Sequence, residues 1–382
     1  MSKTVWLFLI LILFSLNIQG QYRIFSNFGE SAFADVKYHT GKPIVYSDSL
    51  NTSLQHQFFA IDYRFGINSF GRMPQDFILG YPNYGIGFTH YAMHSDSIGN
   101  PMGLYGFFAA PWFINSGRFR SGFELSAGFS FNFNSFDLVS NPKNDLIGSQ
   151  LNVYFNLGIW GSYKISERLD ALTSIDFTHF SNGTMNTPNK GLNLWGGNIG
   201  LRYHFQFPKV GEKFERKQSS LTKNSFEKLK PHFEASVWAA IGGKTVITPT
   251  HEGPVYFCTS ISTDFSRRYG WLGRAGIGFD YFYDHSLTHN STIENNDKPL
   301  TNSFIGLHGS HDFIVGDFSL ALQIGSYLWK GREAKGGFYI RSGLKYDLGR
   351  HLFLNLSLKS QNGFKADYIE LGLGYRFGKK EN

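Results

Sequence analysis

The chain has 382 residues, 17% of them aromatic, with a formal charge of +7 and a single cysteine, Cys258. One thiol excludes an intrachain disulfide and any cysteine cluster for zinc. The basic excess suits anionic phosphates, and an exported chain without a recognisable nucleic-acid module points away from nucleic acid.

Residues 1–20 read as a secretory signal: Lys3 lies in a short basic start, an apolar run extends from Val5 to Phe14, and small Gly20 precedes a cleavage point before Gln21. No cysteine of lipoprotein type lies near that point, and no later apolar run approaches the ~20 residues of a membrane helix. Beyond residue 30 the dominant pattern is alternation with a period of two. In Phe119 to Phe133 the odd positions carry Phe119, Phe123, Leu125, Ala127, Phe129, Phe131 and Phe133, while the even ones carry Arg120, Gly122, Glu124, Ser126, Ser130 and Asn132. One face is apolar and the other polar, and the run exceeds the roughly 9 to 11 residues that a tilted strand needs to cross a bilayer. A soluble β-sandwich would also alternate, but strands this long, rich in Phe and Tyr, with charges confined to the opposite face, fit a transmembrane barrel better.

Alternation and turn residues predict eight strands before residue 207, at about 33–41, 55–67, 82–94, 102–114, 119–133, 150–165, 168–181 and 191–206. Pro208 to Pro231 is too charged for an ordinary turn and reads as a linker. Eight more strands succeed it, at about 232–246, 254–266, 269–283, 302–314, 317–329, 337–348, 350–362 and 366–377. The fold class is therefore all-β, an outer-membrane antiparallel β-barrel of a Gram-negative cell. Two tandem eight-stranded barrels (21–207 and 232–382, joined by 208–231) are preferred over one sixteen-stranded barrel. An eight-stranded barrel has a lumen just wide enough for side chains, so Arg120, Glu124, Asp176 and Arg202 should join an internal network. A sixteen-stranded one would leave a channel.

Histidines at metal-like spacing make no convincing site. His308 and His311 fall on opposite faces of a strand, and His90 and His94 have only Asp96 nearby. No cofactor is called for.

With the amino terminus in the periplasm, the seventh strand ends outside the cell. Along it Leu169, Ala171, Thr173, Ile175, Phe177, His179 and Ser181 share the lipid face, and Asn193 on the apolar face of the next strand can sit beside His179. Polar groups at the rim of a hydrophobic belt are costly unless they bond to each other or to a headgroup. A serine hydroxyl becomes a nucleophile when a neighbouring imidazole takes its proton and a third group holds that imidazole. Asn182, Gly183 and Asn189 in the adjoining loop are the candidates for stabilising an oxyanion. Such a site would act on an ester arriving sideways from the outer leaflet, where the abundant ester-bearing lipid is lipid A.

The run Thr178-His179-Phe180-Ser181-Asn182-Gly183, with Pro188-Asn189-Lys190-Gly191-Leu192-Asn193 and Gly200-Leu201-Arg202-Tyr203 after it, resembles the lipid A 3-O-deacylase (PagL-like) or acyloxyacyl hydrolase family. Asn141-Pro142-Lys143-Asn144 with Ile147-Gly148-Ser149 is similar to it too. The resemblance covers about residues 33–206, the second half being a weaker, degenerate barrel-like copy. It implies an outer-membrane esterase that removes an ester-linked acyl chain from lipid A of lipopolysaccharide, with His179 as general base and Ser181 as nucleophile. Outer-membrane lipids are the implied partners. The family's acidic residue falls where this chain has Asn193, which implies a slower esterase or a retained fold with little activity, and Asp176 sits on the wrong face to replace it. In the second half Leu358 stands where the first has His179, so that half should be catalytically silent. The alternative is a non-catalytic outer-membrane barrel, either a channel or a surface-binding protein.

Overall fold

A computed structural model describes residues 32–44, 56–69, 73–112, 117–205, 229–246, 248, 253–288, 299–333, 335–363 and 365–378. The expected signal segment and most of the expected linker lie outside these residues. The first eight strands are β1 (Ala32–Ile44), β2 (Phe58–Asn68), β3 (Asn83–Ala92), β4 (Gly99–Pro111), β5 (Phe119–Phe133), β6 (Asn152–Lys164), β7 (Leu169–Ser181) and β8 (Leu192–His204). They close into one antiparallel barrel, with β1 paired to both β2 and β8. A second closed barrel comprises β9 (His232–Lys244), β10 (Tyr256–Arg268), β11 (Gly273–Asp284), β12 (Ser303–Val315), β13 (Phe318–Lys330), β14 (Phe338–Asp347), β15 (Leu352–Gln361) and β16 (Lys365–Phe377). The sixteen-stranded alternative is thereby set aside. A five-residue helix, α1 (Pro74–Ile78), interrupts the β2–β3 connection.

Both barrels obey the parity of the strand. Outward positions carry bare aliphatic and aromatic side chains, such as Ile86, Leu157, Ile175, Ile199, Ile277 and Phe279, all 49–66% exposed in the isolated protein. Such a continuous apolar exterior is stable only in hydrocarbon. Inward positions carry the charges. In the first lumen Arg64 donates from Nη1 to Glu124 Oε1 at 2.6 Å and from Nε to Asp62 at 2.9 Å, while Arg202 pairs with Asp35 at 2.7 Å. Asp176 accepts from Asn156 at 3.0 Å and lies 3.2 Å from His39 Nε2. Arg120 instead donates to the Tyr81 carbonyl at 3.5 Å. The second lumen is as full: Arg341 binds Glu370 and Asp280, and His308 lies between Asp280 at 2.7 Å and Asp264 at 3.0 Å. Charges removed from water are tolerable when each meets an opposite partner and further hydrogen bonds.

Above the ion pairs, toward the end where β7 finishes, the first lumen turns aromatic. Phe180 is wholly buried there, its ring 5.5 Å from Tyr91, 5.4 Å from Phe133 and 5.6 Å from Tyr154. These edge-to-face contacts, with Leu146, Ile147, Leu192 and Leu194 in the same cluster, plug the barrel mouth.

With both lumens filled by side chains, planar-bilayer recordings of the full chain should show no steady open conductance; a stable aqueous pore would contradict this packing. Phe180→Ala should remove about 3–5 kcal/mol of packing and lower the temperature at which the folded, fast-migrating gel form is lost, whereas an unchanged transition would show that the plug carries no stability.

Candidate functional site

Strand parity sets the site. Phe180 points into the lumen, so its neighbours His179 and Ser181 must point out, onto the same wall as Phe177 and Ile175 below them. In the β7–β8 ladder His179 is paired with Asn193, and in the β6–β7 ladder with Phe155. His179 Nε2 lies 2.9 Å from Ser181 Oγ, and Nδ1 lies 2.6 Å from Asn193 Oδ1. An amide oxygen can only accept, so Nδ1 carries the ring proton and donates it to Asn193. Nε2 is then bare and accepts from the Ser181 hydroxyl. Three residues that the sequence places on one face thus form a continuous chain of hydrogen bonds. Asp176, on the inward face and 5% exposed, takes no part.

The apron below this chain is apolar. Phe177 and Trp195 are ladder partners, with Leu157, Ile175 and Ile199 exposed farther down the wall. An acyl chain lying along this wall would meet hydrocarbon surface up to the hydroxyl.

The loop after Ser181 is fixed by the loop between β5 and β6. Asn144, fully buried, donates from Nδ2 to the carbonyls of Ser97 and Asn134 and accepts at Oδ1 from the N–H groups of Leu146 and Ile147. That second loop then holds the first: Asn182 Nδ2 donates to Ser149 Oγ at 3.0 Å, Lys190 Nζ to Asp145 at 2.6 Å, and the Gly191 N–H to the Leu146 carbonyl at 3.0 Å. Of the three oxyanion candidates, Asn182 donates its backbone N–H to Asn189 Oδ1 at 3.1 Å, so these two residues brace each other. Gly183 is the next residue along the loop, with φ +61, a left-handed conformation that glycine adopts without strain.

Gly191 belongs to the site although its place in the motif that ends at Asn193 gives it no role by itself. Its φ is +81, and a β-carbon there would lie 2.7 Å from His179 Cε1. Only glycine lets the loop cross beside the imidazole at this distance. A glycine two residues before Asn193 was the available signal. Ser149 was likewise visible only as part of a motif, because its contact with Asn182 spans 33 positions.

The arrangement has the parts of a hydroxyl nucleophile activated by imidazole, with an amide where a carboxylate would add charge. Among the described residues no group of three or more His, Cys, Asp or Glu side chains could hold a metal ion.

Comparison with known proteins falls into the same two halves. Residues 61–202 match the family described as lipid A 3-O-deacylase (PagL), and residues 233–380 match the acyloxyacyl hydrolase C-terminal domain. No curated protein matches the chain. Among solved structures, the outer membrane enzyme PagL is similar at 14% identity, covering 44% of this chain and 97% of its own, with a TM-score of 0.27. Pseudomonas aeruginosa OccK3 (OpdO) is similar at 10% identity, covering 92% and 97%, with a TM-score of 0.24. The second half, expected as a degenerate copy, thus matches a domain description of its own. Two closed barrels with apolar exteriors make this a multi-pass β-barrel protein of the outer membrane, its first barrel matching the lipid A 3-O-deacylase (PagL) family and its second the acyloxyacyl hydrolase C-terminal domain.

Proposed function

We propose that the first barrel hydrolyses an ester-linked acyl chain of lipid A with Ser181 as nucleophile and His179 as general base, at the outer leaflet. The observation that carries this reading is the Asn193–His179–Ser181 hydrogen-bond chain, with contacts of 2.6 and 2.9 Å, on the apolar wall of a barrel whose family description names lipid A.

The chemistry runs in two halves. Ser181 Oγ attacks the ester carbonyl while Nε2 takes its proton, leaving an alkoxide that the Gly183 N–H is positioned in sequence to stabilise, with Asn182 and Asn189 holding that loop. Collapse expels the sugar hydroxyl, protonated by the imidazolium, and leaves an acyl-serine. Water, deprotonated by the same imidazole, then releases the fatty acid and restores the serine. No step calls for a cofactor.

Asn193 tunes the rate. Its Oδ1 holds the imidazole in the productive tautomer, which a mis-hydrogen-bonded amide would not, but it supplies no negative charge to the imidazolium. Withdrawing the charge and tautomer control of a triad acid costs up to about 10⁴-fold. Part of that loss is spared here because the tautomer is retained.

The test is mass spectrometry of lipid A from cells carrying the parent, Ser181→Ala or no protein. The parent should yield lipid A short of one ester-linked chain and Ser181→Ala the intact form; three matching profiles would leave a non-catalytic surface barrel as the reading. Asn193→Asp keeps the length of the side chain and adds a charge beside Nδ1. It should raise kcat by at least about tenfold, and an unchanged or lower kcat would show that charge is not what limits the rate.

A further inference from the structure

The two barrels touch at both ends. At the end opposite the site, Gln75 of α1 donates to the Trp271 carbonyl at 3.4 Å, and Met73 lies beside Gly316. At the site end the contact falls on Gly183 and Thr184, the two residues after Asn182. A β-carbon on Gly183 would lie 2.4 Å from Ile369 Cγ1, so the outward-facing Ile369 side chain occupies the space beside this glycine, with Leu358 just beyond. These two residues are ladder partners across β15 and β16. The next residue, Thr184, is held on both sides: its carbonyl accepts the Thr245 N–H at 2.9 Å, and its Oγ1 donates to the Asp367 carbonyl at 2.5 Å.

The two anchors are themselves tied together. Lys244, adjacent to Thr245, donates to Asp367 Oδ1 at 2.7 Å and to Asp284 Oδ2 at 2.6 Å. Lys335 binds the same two carboxylates, and Lys359 donates to Asp367 Oδ2 at 2.7 Å. Asp367 and Lys335 are buried. A carboxylate fixed by three ammonium groups cannot drift, and neither can the carbonyl of the same residue. Thr184 is therefore bonded to a rigid point of the second barrel.

We propose that the second barrel is a working part of the active site: through Asp367, Thr245 and Ile369 it holds Gly183 and Thr184 in the geometry that presents the oxyanion donor. This rests on the hydrolase reading and explains why a barrel with leucine in place of a catalytic histidine is attached to one that has the histidine. Positioning of this kind acts on the transition state, because a loop displaced by about 1 Å can cost roughly 10²-fold in rate while substrate still binds.

Kinetics of acyl release from lipid A by the full-length protein test this, for the parent, Thr184→Val, Thr184→Ser, Ile369→Ala and Ser181→Ala, each checked as folded by its heat-modifiable gel mobility. Thr184→Val, which keeps shape and loses the donor, should lower kcat roughly 10- to 100-fold at an unchanged KM. Thr184→Ser, which keeps the hydroxyl, should retain the parental kcat, and Ile369→Ala should fall with Thr184→Val. Should Thr184→Val and Ile369→Ala turn over at the parental rate while Ser181→Ala is silent, the second barrel is a bystander and the inference is overturned with the hydrolase reading intact. Should Ser181→Ala match the parent, the hydrolase reading itself fails.

Discussion

The direction in which Phe180 points decides everything else about the site. A strand offers each residue one of two faces, and an aromatic ring packed against Tyr91, Phe133 and Tyr154 in the barrel mouth leaves its two neighbours no choice but the outside. The apolar plug that stabilises the barrel and the polar pair on its exterior are thus consecutive consequences of one alternation. A slip of one residue in the register of β7 would put the imidazole and hydroxyl in the lumen and Phe180 in the lipid.

The same alternation separates charge used for stability from polarity left for chemistry. Inward carboxylates and guanidinium groups are consumed by one another, and Asp176 is engaged by His39 and Asn156. That is why an acid so close in sequence cannot serve His179. The outward chain is short and mutually bonded. In the second barrel the equivalent wall is Leu352, Leu354, Leu356 and Leu358, and one cluster of its inward charges lies at the mouth around Asp367. The two halves share an architecture: one carries the imidazole–hydroxyl pair, and the other sets Asp367 against the loop beside it.

Much of this was legible in the sequence because parity is local. Strand positions were readable to within a few residues, and the meeting of Asn193 with His179 came from assigning both to the apolar face. β4, expected to start at 102, starts three residues earlier at Gly99, where a bulge between Gly99 and Met102 extends the pairing to Phe133. Helix α1 has five residues, too few for a periodic pattern. What no local pattern could announce is contact between distant loops. The Asn182 N–H is committed to Asn189, Gly148 packs under Pro188, and Thr184 reaches Asp367 across 183 positions. Loop docking and barrel-to-barrel contact depend on the assembled surfaces, and the residues involved are ordinary Asn, Thr and Gly in sequence.

The reaction proposed for the first barrel requires that the Ser181 hydroxyl be activated by the imidazole beside it on the barrel exterior. Treatment of the bilayer-reconstituted protein with a fluorophosphonate, then peptide mass spectrometry, reads this directly. One phosphonyl adduct, on Ser181, should form and should disappear in His179→Ala. Ser181 left unmodified at reagent concentrations that label ordinary serine esterases, or labelled equally well without the imidazole, would contradict it.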